Sequence, residues 1–359
     1  MQYNQNNPNN QSNFYQNTYQ YYQPPVFTPP NAEYLQKMAY YKAKRKKEIN
    51  SLILTGVAIG VTIIIQLLMQ VIASGSIMAL GLYDVYLSSS LFQNCFNVIG
   101  VHILSLALPF GIMAMILKKN FNGEPVVPTE KIGFLKGTMW VGFGLLCCVG
   151  ANYITNFVIL IAKQMGYELT QSELAKPDSI IACIALVVST AVIPGIIEEF
   201  ALRCCTLGVL KKYGKGFAVF AVSIVFGLIH GNIIQFIFAF LVGLILGYIT
   251  IRTNNVIPAM IVHGLNNGVS VINDIVTYVS NEKTAENVAV GVYIAFMVLG
   301  AIGLIYLLAK KELLPQKTTP KQKEPFALSL GTKLLCLLPG FFIPFLILIY
   351  MTSKTITKI

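Results

Sequence analysis

The chain has 359 residues and a formal net charge of +11, yet only 11% of its residues are charged while 55% are hydrophobic. Soluble domains carry roughly 25% charged residues, so this composition cannot cover a soluble surface of that size and excludes an ordinary globular enzyme. The positive excess does not call for nucleic acid, and no nucleic-acid partner is expected, because Lys and Arg accumulate on the cytoplasmic loops of membrane proteins.

In chain order, residues 1–31 form a low-complexity tract rich in Asn, Gln, Tyr and Pro. Such a segment buries too little apolar surface to offset its ordering entropy, and disorder is expected. A basic stretch from Lys37 to Lys47 follows. It serves either as a topology signal or as a contact with anionic lipid. The first apolar run begins only near Ser51, so a cleavable signal peptide is not expected.

Hydropathy places apolar runs near 51–73, 91–117, 137–162, 180–210, 216–230, 233–251, 256–273, 288–309 and 334–352. A bilayer span takes about 20 residues. The expected fold is therefore an all-α polytopic membrane bundle of 8–9 transmembrane helices. It divides into a tail with its basic stretch (1–48), N-terminal helices (49–179), a core (180–275) and C-terminal helices (276–359). The fourth run is too long for a simple span and the fifth too short; Pro194-Gly195 can kink the fourth. The turn signal His230-Gly231-Asn232 interrupts one apolar stretch from Phe217 to Ile251. A helix that breaks there frees backbone groups at membrane depth, which is tolerated only against protein or a wet cavity.

With the N-terminus in the cytoplasm, 21 of the 26 Lys and Arg residues lie on that side, counting Arg203 toward the cytoplasmic end of its span. Lys163, Lys176, Lys283, Lys354 and Lys358 fall outside. The seven cysteines sit in or beside apolar runs without zinc-finger spacing and read as small apolar fillers.

Ionisable side chains inside hydrocarbon are costly and mark function or a paired structural role. The deep candidates are Glu198, Glu199, His102, His230 and His263. Glu199 and Arg203 stand at i,i+4, where a carboxylate and a guanidinium meet on one helix face. Glu198 is rotated about 100° from Glu199 and is left as the tunable acid–base group. His263 and Asn267 also share one face at i,i+4, and Phe226 precedes His230 by four residues. At ~1.5 Å per residue, Glu198 lies roughly 20 Å from Lys211, His230 roughly 22 Å from Lys215 and His263 roughly 16 Å from Arg252. Three helices thus carry polar groups at one level. Two chemistries are open to them. A glutamate in an apolar site can act as a general base for water, with imidazoles positioning the water and Asn267 donating to an oxyanion. Alternatively Glu198, His230 and His263 form a His₂Glu shell for a divalent metal, zinc being the usual occupant.

Glu198-Glu199-x-x-x-Arg203, Phe226-x-x-x-His230 and His263-x-x-x-Asn267, in that order, resemble the CAAX-protease and bacteriocin-processing family of membrane peptidases. The resemblance runs from about residue 180 to 275. It implies an intramembrane endopeptidase acting on a membrane-associated peptide or protein. In it Glu198 activates water, His230 and His263 orient the water or bind metal, Asn267 stabilises the oxyanion, and Glu199, Arg203 and Phe226 give support. It also implies a multi-pass protein of the plasma membrane, with a bacterial host expected. Two rivals share the same residues: a non-catalytic adaptor or immunity protein on the same fold, and a proton-coupled transporter. Transporters tend to carry internal repeats, and the first three spans hold no counterpart of the 198–267 cluster.

Overall fold

The computed structural model describes residues 31–120, 128–170, 176–314 and 328–358, so the Asn-rich tail lies outside the described residues. Two units are distinguished, residues 1–44 and residues 45–359. Helix α1, Ala32–Ala79, begins well before the first apolar run. Its early residues are mostly Ala, Leu, Met, Glu, Gln, Lys and Arg with three tyrosines and no Gly or Pro, all compatible with a helix.

A short helix α2 (Tyr83–Ser88) leads into α3 (Ser90–Leu117), α4 (Phe134–Gln164) and α5 (Ile180–Tyr213). After them come α6 (Lys215–Leu228), α7 (Ile233–Thr253), α8 (Ile257–Val279), α9 (Glu282–Ala309) and α10 (Leu330–Ser353). All nine apolar runs are thus helical. Among the described residues, six helices, α1, α3, α4, α5, α7 and α9, are long and apolar enough to cross a membrane. The protein is an all-α polytopic bundle. Helix α6 has 14 residues, as the short fifth run foreshadows. It ends where Gly231 takes a φ of +70°, a backbone conformation suited to glycine. Asn232 then caps α7, its side chain accepting from the Gln235 amide at 2.9 Å.

Lipid tails are as apolar as leucine, so helices in a membrane associate through close packing at small residues. Helices α4 and α9 meet this way: a Cβ on Gly142 would stand 2.6 Å from the Leu299 carbonyl oxygen, and one on Gly303 2.5 Å from that of Met139. The α6–α7 hairpin closes at Gly227, whose added Cβ would lie 2.8 Å from the Phe236 oxygen.

The two ends of the bundle differ in charge: among the described residues Lys131, Lys136, Lys211, Lys212, Lys215, Arg252, Lys310, Lys311 and Lys333 gather at one of them, the lysine-rich end. At this end Lys136 pairs with Glu312 at 2.7 Å, and Arg252 donates to the Glu312 carbonyl. There too the Tyr213 hydroxyl donates to Glu48 O at 3.1 Å and Lys333 donates to Tyr213 O at 3.0 Å. At the other end strand β1 (Tyr167–Leu169) pairs antiparallel with β2 (Ile356–Lys358), Glu168 opposite Thr357. Lys163, Lys354 and Lys358 sit at this second end, with Lys176 paired to Glu282 and Lys283 to Glu286 at the start of α9. The five lysines expected outside therefore share one end of the bundle.

Candidate active site

The site begins with a close helix crossing. A Cβ on Gly195 of α5 would meet the Gly264 nitrogen and the Met260 oxygen of α8, each at 3.2 Å, and one on Gly264 would stand 3.3 Å from Ala191 O. Bare backbone on both sides lets the helices approach. The next turn of α5 then sets Glu198 and Glu199 against His263. The helix continues through Pro194, preceded by a π-helical stretch at Val187–Val192. A second such stretch, Phe200–Thr206, follows the glutamates, and a third, Val98–Ala107 in α3, carries His102. Such wide turns occur often at functional sites.

Glu199 and Arg203 are fully buried. Glu199 Oε1 takes Arg203 Nη1 at 3.2 Å and His263 Nδ1 at 2.9 Å. The Arg203 guanidinium carbon also lies 4.7 Å from the centre of the Phe226 ring. Since a carboxylate only accepts, the His263 proton belongs on Nδ1. Its Nε2 then presents a lone pair toward Glu198 Oε2, 3.7 Å away. The other Glu198 oxygen, Oε1, lies 3.7 Å from His102 Nδ1. Each oxygen of this buried carboxylate therefore faces an imidazole, one from α3 and one from α8.

His230 donates from Nδ1 to the Phe226 carbonyl at 2.7 Å, which leaves Nε2 as its remaining polar atom. The Phe226 ring lies edge-on to His230 and His263, with centroids 5.2 and 5.6 Å away. Asn267 is oriented by its own bond, Nδ2 donating to Thr190 O at 3.0 Å. Glu198, His230, His263 and Asn267 all line one cavity of about 790 Å³, with His102 and Phe226 beside them. That volume falls within the range of small-molecule and peptide sites. Glu199 and Arg203 lie behind the lining.

Each residue expected at the site therefore takes a place in or directly behind the cavity. In the sequence His102 is marked only by its depth. No motif contains it, and its distance from residue 198 in sequence hid its place beside Glu198. Among the described residues, no group of three or more His, Cys, Asp or Glu side chains is arranged to hold a metal ion.

Together these features describe a polytopic membrane protein with a carboxylate–imidazole site buried among its helices. Residues 180–269 match the family described as type II CAAX prenyl endopeptidase Rce1-like, a stretch that contains all three motifs. The match agrees with the resemblance carried by those motifs and supports a membrane protease of the CAAX type in general. No curated protein and no solved structure matches the chain.

Proposed function

We propose that the protein is an intramembrane endopeptidase that hydrolyses a peptide bond with a water molecule activated by Glu198. The observation that carries this reading is the Glu198 carboxylate at the bottom of the cavity, flanked by His263 Nε2 and His102 Nδ1 at 3.7 Å each. At that separation Glu198 and His263 are too far apart for a direct hydrogen bond. They are close enough to hold one water between them.

As this water attacks the carbonyl carbon, Glu198 takes its proton and the new C–O bond forms. The carbonyl oxygen becomes an oxyanion. Asn267 has a second amide hydrogen beyond the one given to Thr190 O, and donates it there. His230 assists from the same wall. When the C–N bond breaks, Glu198 returns its proton to the leaving amine. Glu199 holds His263 in the tautomer that faces Glu198, and Arg203 balances the buried Glu199 charge. A bound divalent metal would supply Lewis-acid polarisation of the carbonyl; Glu198, His230 and His263 are the residues the motif resemblance offers for it.

The substrate is a membrane-associated peptide or protein. We place the lysine-rich end in the cytoplasm, in keeping with the segregation of cations between the two ends. The test is Glu198→Gln, which keeps the side-chain shape and removes the base. Cleavage of quenched peptides by purified protein should fall by at least ~10²-fold, the usual scale of a general base. Folded yield should hold, because a neutral amide is cheaper to bury. Full retention of a host phenotype in that variant, with no cleavage by the parent, would instead establish an adaptor on a peptidase fold.

A further inference from the structure

The cavity has a direction. On every helix that lines it, the lining residues lie on the side toward the strand pair. In α5 they are Ser189, Thr190, Pro194 and Glu198, whereas Leu202, Arg203, Cys205, Leu207 and Leu210 beyond them are packed at 2% exposure or less. In α3 the lining stops at His102, with Ser105, Leu106 and Phe110 sealed behind it at 1% or less. In α7 it stops at Val242, backed by Leu246 and Ile249 at 0%. In α8 Val262, next toward the lysine-rich end from His263, is likewise at 0%. The opposite boundary consists of Thr170, Met351 and Thr355, which adjoin β1 and β2. Thr170 N donates to Thr355 O at 2.9 Å, and the Thr355 hydroxyl accepts from Ile233 N at 3.1 Å. A packed core therefore closes the site from the lysine-rich end, and the cavity extends from Glu198 toward the strand end.

The lining has a second property. Among the described residues that form it, none is Lys or Arg, and Glu198 is the sole carboxylate. Gln66, Asn97, Thr190, Gln235 and Asn267 supply amide and hydroxyl groups. These both donate and accept, as backbone N–H and C=O groups do. A tail cut three residues from its free end would place its carboxylate within roughly 10 Å of the scissile bond. From Ser189 to Glu198 the wall alone runs roughly 13 Å at the helical rise. That carboxylate would thus stand inside the cavity, near the Glu198 charge and with no Lys or Arg among the described lining residues to meet it.

From these two observations, and resting on the peptidase reading above, we propose that the substrate reaches Glu198 from the strand end of the bundle as an extended, uncharged internal segment of a peptide, not as a free C-terminal tail. With the lysine-rich end in the cytoplasm, this is the outer face. The segment belongs to a chain that is exported or presented on that side. Its backbone is held by the amide-lined wall, and its side chains rest against Ile63, Leu67 and Met69.

Two measurements test this in the full-length protein, in sealed vesicles of each orientation. The first is labelling of single Gln66→Cys and Asn97→Cys variants by a membrane-impermeant maleimide, above the background of the seven native cysteines. Lys311→Cys and Lys358→Cys mark the lysine-rich and strand faces. Labelling of the cavity positions from the Lys358 face alone is expected. Labelling from the Lys311 face, or from neither face while both markers react, overturns the access route. The second uses an uncharged hexapeptide library in amidated and free-acid forms. The amidated form should slow the labelling of Gln66→Cys and be cleaved about tenfold faster than the free acid, the scale of repulsion between two carboxylates roughly 10 Å apart. Equal rates for the two forms, preference for the acid form, or protection by neither overturns the internal-segment proposal. Protection by the amidated form with no cleavage of either would leave this proposal standing and refute the peptidase reading instead.

Discussion

Replacing Arg203 with Leu offers the most direct test of how the site is held together. Arg203 and Glu199 are both at 0% exposure and pair at 3.2 Å. Removing one partner of a buried ion pair leaves the other charge uncompensated, at a cost of about 3–5 kcal/mol. Loss of the guanidinium over the Phe226 ring, 4.7 Å away, adds in the same direction. His263, at 2.9 Å, is the remaining partner of Glu199. It can compensate only by becoming protonated, which removes the Nε2 lone pair that faces Glu198. Arg203→Leu should therefore lose both stability and activity. Adding Glu199→Gln removes the stranded charge while leaving an amide oxygen to accept from His263 Nδ1. The double variant should be more stable than Arg203→Leu alone, by about 2 kcal/mol or more on the scale of a buried unpaired charge. Trp140, the single tryptophan and fully buried, reports unfolding in mixed detergent micelles. Equal stability of Arg203→Leu and the parent, or a double variant as unstable as the two losses added, would refute this account of the pair.

His102→Leu should lower kcat roughly 10–100-fold with little change in KM, since it frees one oxygen of Glu198 from its neighbour and misplaces the base. His102→Asn, which keeps an N–H near the Nδ1 position, should recover much of that loss, and identical rates for the two variants would make His102 mere filler. Gly195→Val should cost about 1–3 kcal/mol by overpacking and separate α5 from α8, because even a Cβ there stands 3.2 Å from Gly264 N and Met260 O; unchanged unfolding and cleavage would mean the crossing is looser than described. Exhaustive chelation should leave the cleavage rate unchanged, as the glutamate-driven steps require no ion, and a loss restored by added zinc would replace that mechanism with a metal-dependent one.

The membrane class, the helical runs and the order of the three motifs were legible in the residues themselves, because hydropathy, turn chemistry and i,i+4 spacing are local properties. The Gly231 turn and the short α6 followed from the same local signals. Local spacing also paired Glu199 with Arg203 and separated it from Glu198 by rotation about the helix. Only the tertiary structure showed that Glu199 serves two partners, since His263 reaches it across the Gly195–Gly264 crossing and no sequence interval encodes that approach. His102 is the clearest case. It lies on a π-helical stretch where the 3.6-residue period fails, in a helix remote in sequence from the motifs, and its role depends on α3 packing against α5. The direction of the cavity likewise emerges only when the helices that line it are assembled. Helices α3, α5, α7 and α8 each contribute a polar residue toward the strand end and a tightly packed apolar one behind it, and the difference between wall and seal is a matter of burial, which packing alone decides.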